Sequence, residues 1–553
     1  MFRRGLFFYL LAMGAMLTSL AGQPRLVYAQ QEPAPLYSTI TVNITSDDIT
    51  KNGNCTLREA VQAANKNAAV DKCPAGSSSS TDTIKLGTGT YILSIPGRYE
   101  HYNLTGDIDI TQNVKIIGTG RSTTIVDGKA LDRVFENRST TATVTIQDMT
   151  IQNALAQSKD ITLLDEGGAM ANKGTLYITR VRFYNNKMSG EEDSIRGGAI
   201  LSTGSLIVSD SQFEKNHAGG GGAIGSSGKL TVDKSTFKEN SAYLGGAIYS
   251  SRDTATVNIT NSLFQGNQGG PGGASAMMQS GAGTTTIRNS TFEGHPSGDE
   301  LIWNEGTMTV RYSTFQKNEG SYIFKAAKGY LTFTHSSVKD NSGSGSAIDL
   351  LEGRLVLDRL TFSNNGGPAL NMRAGDARLN NSTITMLKGN QGAINVRGGK
   401  LAIDMATIAD NVAENVDDPS VTLAALNVTA GTVTLHSTIL ANTRDLSGDA
   451  VADCKVASGT TASRGYNLIS RADGCGLQAK TGDQFGTLAK PIEPLLGELK
   501  DNGGPTYTRG LLPGSPAIDK ADPVSYFATD QRVYHRPAGA HCDIGAYERG
   551  AVQ

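Results

Sequence analysis

Between residues 160 and 445 short apolar runs alternate with polar residues and recur in a fixed phrase. Gly-Gly-Ala-Ile begins at Gly197, Gly221 and Gly245, flanked by Gly-Gly-Ala-Met at Gly167 and Gly-Gly-Ala-Ser at Gly272. Within a copy, Leu230 and Val232 alternate with Lys229, Thr231 and Asp233, and Leu355 and Leu357 alternate with Arg354, Val356 and Asp358. Period two predicts strands. A second anchor is an apolar residue followed three later by Asn: Phe183/Asn186, Phe213/Asn216, Phe237/Asn240, Phe264/Asn267, Phe315/Asn318, Val338/Asn341, Phe362/Asn365, Ile408/Asn411 and Ile439/Asn442. Phe292 with His295 and Ile384 with Leu387 break it.

A repeat of this length cannot bury its own apolar face and must stack on its neighbours. No Ala/Leu/Glu/Lys run separates the copies, so the units are strand-only and each winds as one coil of a parallel β-helix. Equivalent positions then lie one above another at the strand spacing of about 4.8 Å. The phenylalanines are expected to form an internal aromatic column, each ring contributing roughly 1.5–3 kcal/mol of burial. The asparagines are expected to form a ladder at a turn, and the paired glycines to permit close backbone approach at another corner.

Composition narrows the class without naming a chemistry. The 553 residues include 65 Gly and one Trp, with net charge −2 and no Lys/Arg block, which excludes nucleic acid as an electrostatic partner. Arg3-Arg4 followed by the apolar run from Leu6 to Leu17 reads as a secretory signal within residues 1–29, with Ala21 or Ala29 before the cut. No other stretch reaches the length of a transmembrane span, so none is expected after cleavage. Export suits disulfides, Cys55 with Cys73 before the coils and Cys454 with Cys475 after them. Cys542 is left over and is expected to be buried and inert.

A rod of coils needs covers at both ends. Thr56-Leu-Arg-Glu59 is a capping box that opens a short amphipathic helix carrying Ala60, Val61 and Ala64. Residues 36–155 are assigned to this cap and to irregular first coils, 156–445 to regular repeats, and 446–553 to a Gly/Pro-rich C-terminal cap.

The segment from Cys55 to Ala60, Cys-Thr-Leu-Arg-Glu-Ala, resembles the CSLREA-type N-terminal domain, with Thr in place of Ser. Residues 502–548 resemble the choice-of-anchor Q domain, and the Gly-Gly-Ala-Ile and Phe-x-x-Asn copies are similar to polymorphic outer membrane protein repeats. The resemblance implies a secreted or surface-displayed right-handed parallel β-helix, often adhesin-like. Neither a sorting tail nor an outer-membrane barrel follows Glu548, so free secretion is expected over attachment.

No catalytic set is legible. Hydrolysis of a glycoside needs paired carboxylates, and elimination needs a cation-assisted base. Asn-Thr-Asp, Gly-His-Gly and Arg-Ile-Lys, the polygalacturonase-type signatures, do not occur. Asp47-Asp48 and Asp417-Asp418 read as solvated connections. No cofactor is implied; Ca2+ has only the acidic insertions Asp165-Glu166 and Glu191-Glu192-Asp193 to bind, without calcium-loop spacing. Asp530, Arg532, His535, Arg536, His541 and Asp543 read as a salt-bridged end cap. Trp303, Tyr312, Tyr322 and Tyr330 are candidates for an outward aromatic strip that stacks on sugar rings, with Trp303 and Tyr312 the first choices. The expectation is a monomeric, non-catalytic adhesion, matrix or glycan-binding protein with an extracellular polysaccharide or cell-surface partner; the rival is a lyase or glycoside hydrolase acting on acidic polysaccharide.

Overall fold

The computed structural model describes residues 38–157, 167–189, 197–296, 298–388, 392–413 and 423–553. The signal segment, the two acidic insertions and Asp417-Asp418 lie outside the described residues. Nearly all regular structure is strand, arranged as a parallel β-helix. One coil consists of Ile200–Ser202, Ser205–Ser209 and Gln212–Glu214, and the next of Ile224–Ser226, Lys229–Asp233 and Thr236–Lys238. Each strand pairs in parallel with its counterpart, Ile200 on Ile224, Leu206 on Leu230 and Phe213 on Phe237. Alternation does the sorting: Leu206 and Val208 are buried while Ser205, Ile207 and Ser209 face out. A short fourth strand in a few coils, such as His217–Gly220, builds a separate five-stranded sheet.

The interior is columnar. Phe183, Phe213, Phe237, Phe264, Phe292 and Phe315 are fully buried and stack with centroids 4.5–4.9 Å apart. The column stops at Val338, and Phe324 and Phe333 turn edgewise onto Phe315. Phe362, expected to belong to the column, is buried but lies between Val338 and Ile384, so it is separated from the stacked rings.

Beside the column runs the asparagine ladder. Asn216 Nδ2 donates back to the Phe183 carbonyl and forward to Asn240 Oδ1, which also accepts the Asn216 backbone N–H. Each such amide bridges three coils and leaves no buried donor idle. Asn186 and Asn365 take part in the ladder as the two ends of this run. Asn186 Nδ2 donates forward to Asn216 Oδ1 and back to the Ile151 carbonyl, but its own Oδ1 accepts only the Ala154 backbone N–H, because the preceding coil carries alanine at that slot. Asn365 Oδ1 accepts from the Asn341 backbone and side chain, and its Nδ2 donates back to the Val338 carbonyl, but no forward amide bond follows because the next slot holds Leu387. The Leu387 backbone N–H alone bonds to Asn411 Oδ1. His295, by contrast, continues the ladder where the sequence pattern breaks. The position after Asn411 belongs to Thr443, not Asn442: Leu440 stacks on Ile408, which moves the slot by one residue.

A serine ladder, to which the sequence reading assigned no role, runs two residues before the phenylalanines. Ser235 Oγ donates to the Asp233 carbonyl and accepts the Ser211 N–H of the coil before, and Ser211, Ser262, Ser290 and Ser313 repeat the motif. Between the first and second strands a glycine file turns the corner, through Gly329, Gly353, Gly375, Gly399 and Gly431, all with φ between 74° and 95°. A Cβ on Gly353 would lie 2.4 Å from the Gly329 carbonyl oxygen, and one on Gly399 2.2 Å from that of Gly375.

The N-terminal end is closed by helix α1, Leu57–Lys66, whose capping box joins Thr56 and Glu59 reciprocally. Arg58 is fully buried, paired with Asp47 at 2.7 Å and donating to the Gly106 and Asp107 carbonyls. The reading of Asp47 as a solvated connection is therefore corrected, since its side chain is 4% exposed and anchors the cap. Cys55 and Cys73 form a disulfide beside α1, and Cys454 and Cys475 form a second past the regular repeats.

The C-terminal region does not simply stop the rod. Strand pairing continues beyond residue 445, through Cys454–Val456, Thr460–Ser463 and Leu468–Ile469. From about residue 491 the chain then folds back along the flank of the coils. In the earlier coils the outward residues of the third strand are half-buried, as in Gln212–Glu214, but in Thr361–Ser363, Thr383–Thr385, Thr407–Ala409 and Ile439–Ala441 every residue is buried. Gln531 spans two of these strands, donating to the Leu360 carbonyl and Thr361 Oγ1 and accepting from Thr383 Oγ1. The segment is a lateral cover, and the physical reason is the surface it meets: Thr, Ile and Ala stand where earlier coils carry Gln, Glu and Lys.

Candidate functional site

The outward face of the second strands forms a shallow groove of about 610 Å³ across five coils. Register decides its composition. Tyr330, Arg354, Asp376, Lys400 and Thr432 occupy one file, and Thr332, Val356, Arg378, Ala402 and Thr434 the next. Arg354, Asp376, Arg378 and Lys400 are exposed, and none of their side chains makes a hydrogen bond or ion pair with a described residue. Arg354 lies over the half-exposed Tyr330 ring at 5.6 Å.

The third file shows why the positive charge persists. Its carboxylates are already committed: Asp358 to Arg359, and Asp404 to Arg464 at 3.0 Å and to His436 at 3.2 Å. His436 is also 3.1 Å from Asp522 of the lateral cover. Burial holds the Asp358 carboxyl above its ordinary range, against the pull of Arg359. Three cations and one carboxylate therefore face solvent together on rigid strands, a surface suited to a repeating polyanion. No carboxylate pair is present in the groove, so the geometry of acid-catalysed glycoside hydrolysis is absent from it.

The aromatic candidates are not brought together. Trp303 is half-buried on a first strand, with Lys325 Nζ 4.8 Å above its ring. Tyr312 sits at a turn with φ 52°, 37% exposed, between Arg288 and Arg311 and against His335. The two lie on different faces, so the continuous strip expected from sequence does not form; Tyr330 alone of the four reaches the groove.

The C-terminal charges form an ion-paired core within the lateral cover. Arg532 bonds Asp530 at 2.7 Å and stacks on Tyr547 at 3.8 Å, and buried Arg536 pairs with Glu548 at 3.2 Å. His535 and His541 are exposed and take no part in those pairs. The expected end cap is thus a flank cover, displaced because its partner surface is the third-strand face. Cys542 is buried there, and burial pushes its thiol up to about 12.

The sequence displayed every groove residue, but which outward residues stack depends on coil lengths that shift from copy to copy. The readable signal was the run of Arg354, Asp376 and Lys400, each opening an alternating strand.

A family model described as a right handed beta helix region matches residues 134–315 and 270–384, which agrees with the coils and assigns their hand. No curated protein matches the chain in sequence. Among solved structures, a pectate lyase, Pel9A, is 11% identical over 93% of this chain and 96% of its own, with TM-score 0.30. A mannuronic acid specific polysaccharide family 6 lyase from human gut microbiota is 10% identical over 72% of this chain and 86% of its own, with TM-score 0.31. The A-module of the Azotobacter vinelandii mannuronan C-5 epimerase AlgE4 is 10% identical over 79% of this chain and 98% of its own, with TM-score 0.27. These values carry no statement about activity. Among the described residues no helix is long and apolar enough to cross a membrane.

Proposed function

We propose that the protein is an extracellular glycan-binding β-helix whose second-strand groove holds an acidic polysaccharide without cleaving it. The observation that carries this is the unpaired set Arg354, Arg378 and Lys400, displayed on adjacent coils beside Tyr330. Each cation offers donors to a uronate carboxylate, and the Tyr330 ring offers a stacking face to a sugar. A polymer that runs along the rod meets several such contacts in succession, each weak in water and additive along the chain. The reading also supports a secreted location, together with the two disulfides.

The test is binding of polygalacturonate, alginate and a neutral glucan to the purified protein at low and high salt, alongside assay of chain length. Saturable, salt-sensitive binding of the acidic polymers, weakened at least about 10-fold in the Arg378→Ala/Lys400→Ala double variant, is expected. Equal binding of the neutral glucan, or no effect of the double variant, overturns the groove. One observation favours a second reading, a polysaccharide lyase: Lys400 and Arg378 place a potential base beside a carboxylate-neutralising cation. Appearance of unsaturated uronate ends would replace binding with elimination.

A further inference from the structure

Toward the other end of the rod two successive first strands, Ile108–Ile110 and Phe135–Asn137, stack two carboxylates outward in register, Asp109 on Glu136. Like charges on adjacent strands repel, and both side chains are buried, 1% and 3% exposed. A third group approaches from the loop before them. One ligand atom each from His101, Asp109 and Glu136 lie within 4.8 Å of one another.

The loop that carries His101 is held in place. Glu100 accepts the backbone N–H groups of Tyr102, Leu104 and Thr105, and Asn103, at φ 61°, donates its N–H to Asp109 Oδ2 and its side-chain amide to the Arg58 carbonyl of α1. His101 is exposed, and its side chain makes no hydrogen bond or ion pair with a described residue. The carboxylates are left underused. Glu136 accepts no hydrogen bond from a described residue, and Asp109 Oδ1 is buried with no hydrogen-bond partner. Their cationic neighbours stand off: Arg138 is 3.8 Å from Asp109 and Lys173 is 3.7 Å from Glu136, both beyond hydrogen-bond length. Those two side chains are 26% and 27% exposed, although Arg138 Nη1, which faces Asp109, is itself buried.

We propose that His101, Asp109 and Glu136 bind one divalent cation of the Zn2+ class. An imidazole with two carboxylates selects a borderline cation over Ca2+ or Mg2+, which favour all-oxygen shells. Bonds of about 2.0–2.2 Å set tetrahedral ligand atoms about 3.3–3.6 Å apart, so atoms lying within 4.8 Å of one another must close by up to about 1 Å, a movement shared between the exposed His101 side chain and the two carboxylates. Two carboxylates and a neutral imidazole balance the charge of the ion. The ion would tie the loop at residues 94–106 to the strands Ile108–Ile110 and Phe135–Asn137, beside the helix that covers the rod's end. The site is independent of the groove and rests on none of its residues.

The experiment is calorimetric titration of the untagged, EDTA-treated protein with Zn2+, with thermal unfolding followed in parallel. Saturable 1:1 binding and an unfolding midpoint raised by several degrees are expected. His101→Ala, at an exposed position, should keep the metal-free midpoint while it weakens Zn2+ binding at least about 10-fold and abolishes the rise. Glu136→Gln should weaken binding similarly. Absence of saturable binding, binding unchanged in His101→Ala, or an equal rise with Ca2+ would overturn the assignment.

Discussion

His295 Nδ1 lies 2.9 Å from Asn318 Oδ1, and on the opposite edge of the ring His295 Nε2 lies 3.3 Å from Asn267 Nδ2. Asn318 Oδ1 can only accept and Asn267 Nδ2 can only donate, so the imidazole that fits is neutral, protonated on Nδ1. A second proton on Nε2 would face another donor inside a dry column.

Burial accordingly lowers the His295 pKa to about 4, in spite of its bond to Asn318. The unfolded chain binds the proton near pH 6.5 and the native state does not until about pH 4, so stability is complete above 6.5 and is lost as the pH falls through that window. The loss is about 3 kcal/mol at full extent. His295→Asn restores the ladder amide and should abolish this part of the acid sensitivity. The check is the difference in urea unfolding free energy between the two proteins at pH 7.5 and pH 4.5; equal differences at both values would refute the assignment.

In the aromatic column Phe237 touches a ring above and one below. Phe237→Ala should cost about 3–5 kcal/mol, since the coil spacing is fixed by backbone pairing and the void cannot collapse. Asn240→Leu, close to it, should cost a comparable amount by stranding the Asn216 donors and the Phe213 carbonyl. Denaturant midpoints measure both, and a loss under 1 kcal/mol in either would show that the columns do not carry the stability ascribed to them.

Gln531 holds the lateral cover through bonds to two coils and to Thr506. Gln531→Ala strands several buried groups and should loosen the segment from its flank, with a cost of about 2–4 kcal/mol. Limited proteolysis is the readout: cleavage within residues 488–530 should accelerate in the variant while the coils stay intact.

Cys542 is shielded, with its thiol pushed up to about 12. A thiol reagent at pH 8 should label no cysteine in the folded protein and one after unfolding without reductant, since the other four form disulfides. Rapid labelling of the folded protein would contradict the buried placement.

Architecture was readable in the sequence because packing in a coil repeats: a phenylalanine column needs Phe at one slot, and the slot recurs. Where the asparagine ladder ends was less readable, since Asn186 and Asn365 carry the same motif as the rungs between them and differ only in the Ala154 and Leu387 beyond. The serine ladder was equally visible two residues upstream, yet serine suggests nothing by itself until a neighbouring coil supplies the N–H it accepts. The lateral cover was misplaced for a related reason. Thr361, Thr383 and Thr407 share their residue type with the half-buried Thr236 of an earlier coil, and contact between residues 361 and 531 leaves no period to read. The metal-class cluster joins a loop residue to two strands, which linear spacing of His101, Asp109 and Glu136 does not announce.

The glycine file has a consequence for how this molecule can diversify. At Gly329, Gly353, Gly375, Gly399 and Gly431 the corner is filled by carbonyls packed within van der Waals reach of where a side chain would begin, so no side chain is accommodated at those positions. Chain length varies instead ahead of the first strands: Ile248–Ser251 follows Ser241–Leu244 closely, whereas Ile200–Ser202 follows Lys187–Ser189 at a longer interval of sequence. The glycine positions of one edge are therefore closed to side chains while the approach to the first strands takes added chain, and new contact residues would accumulate along that seam without disturbing the winding beneath.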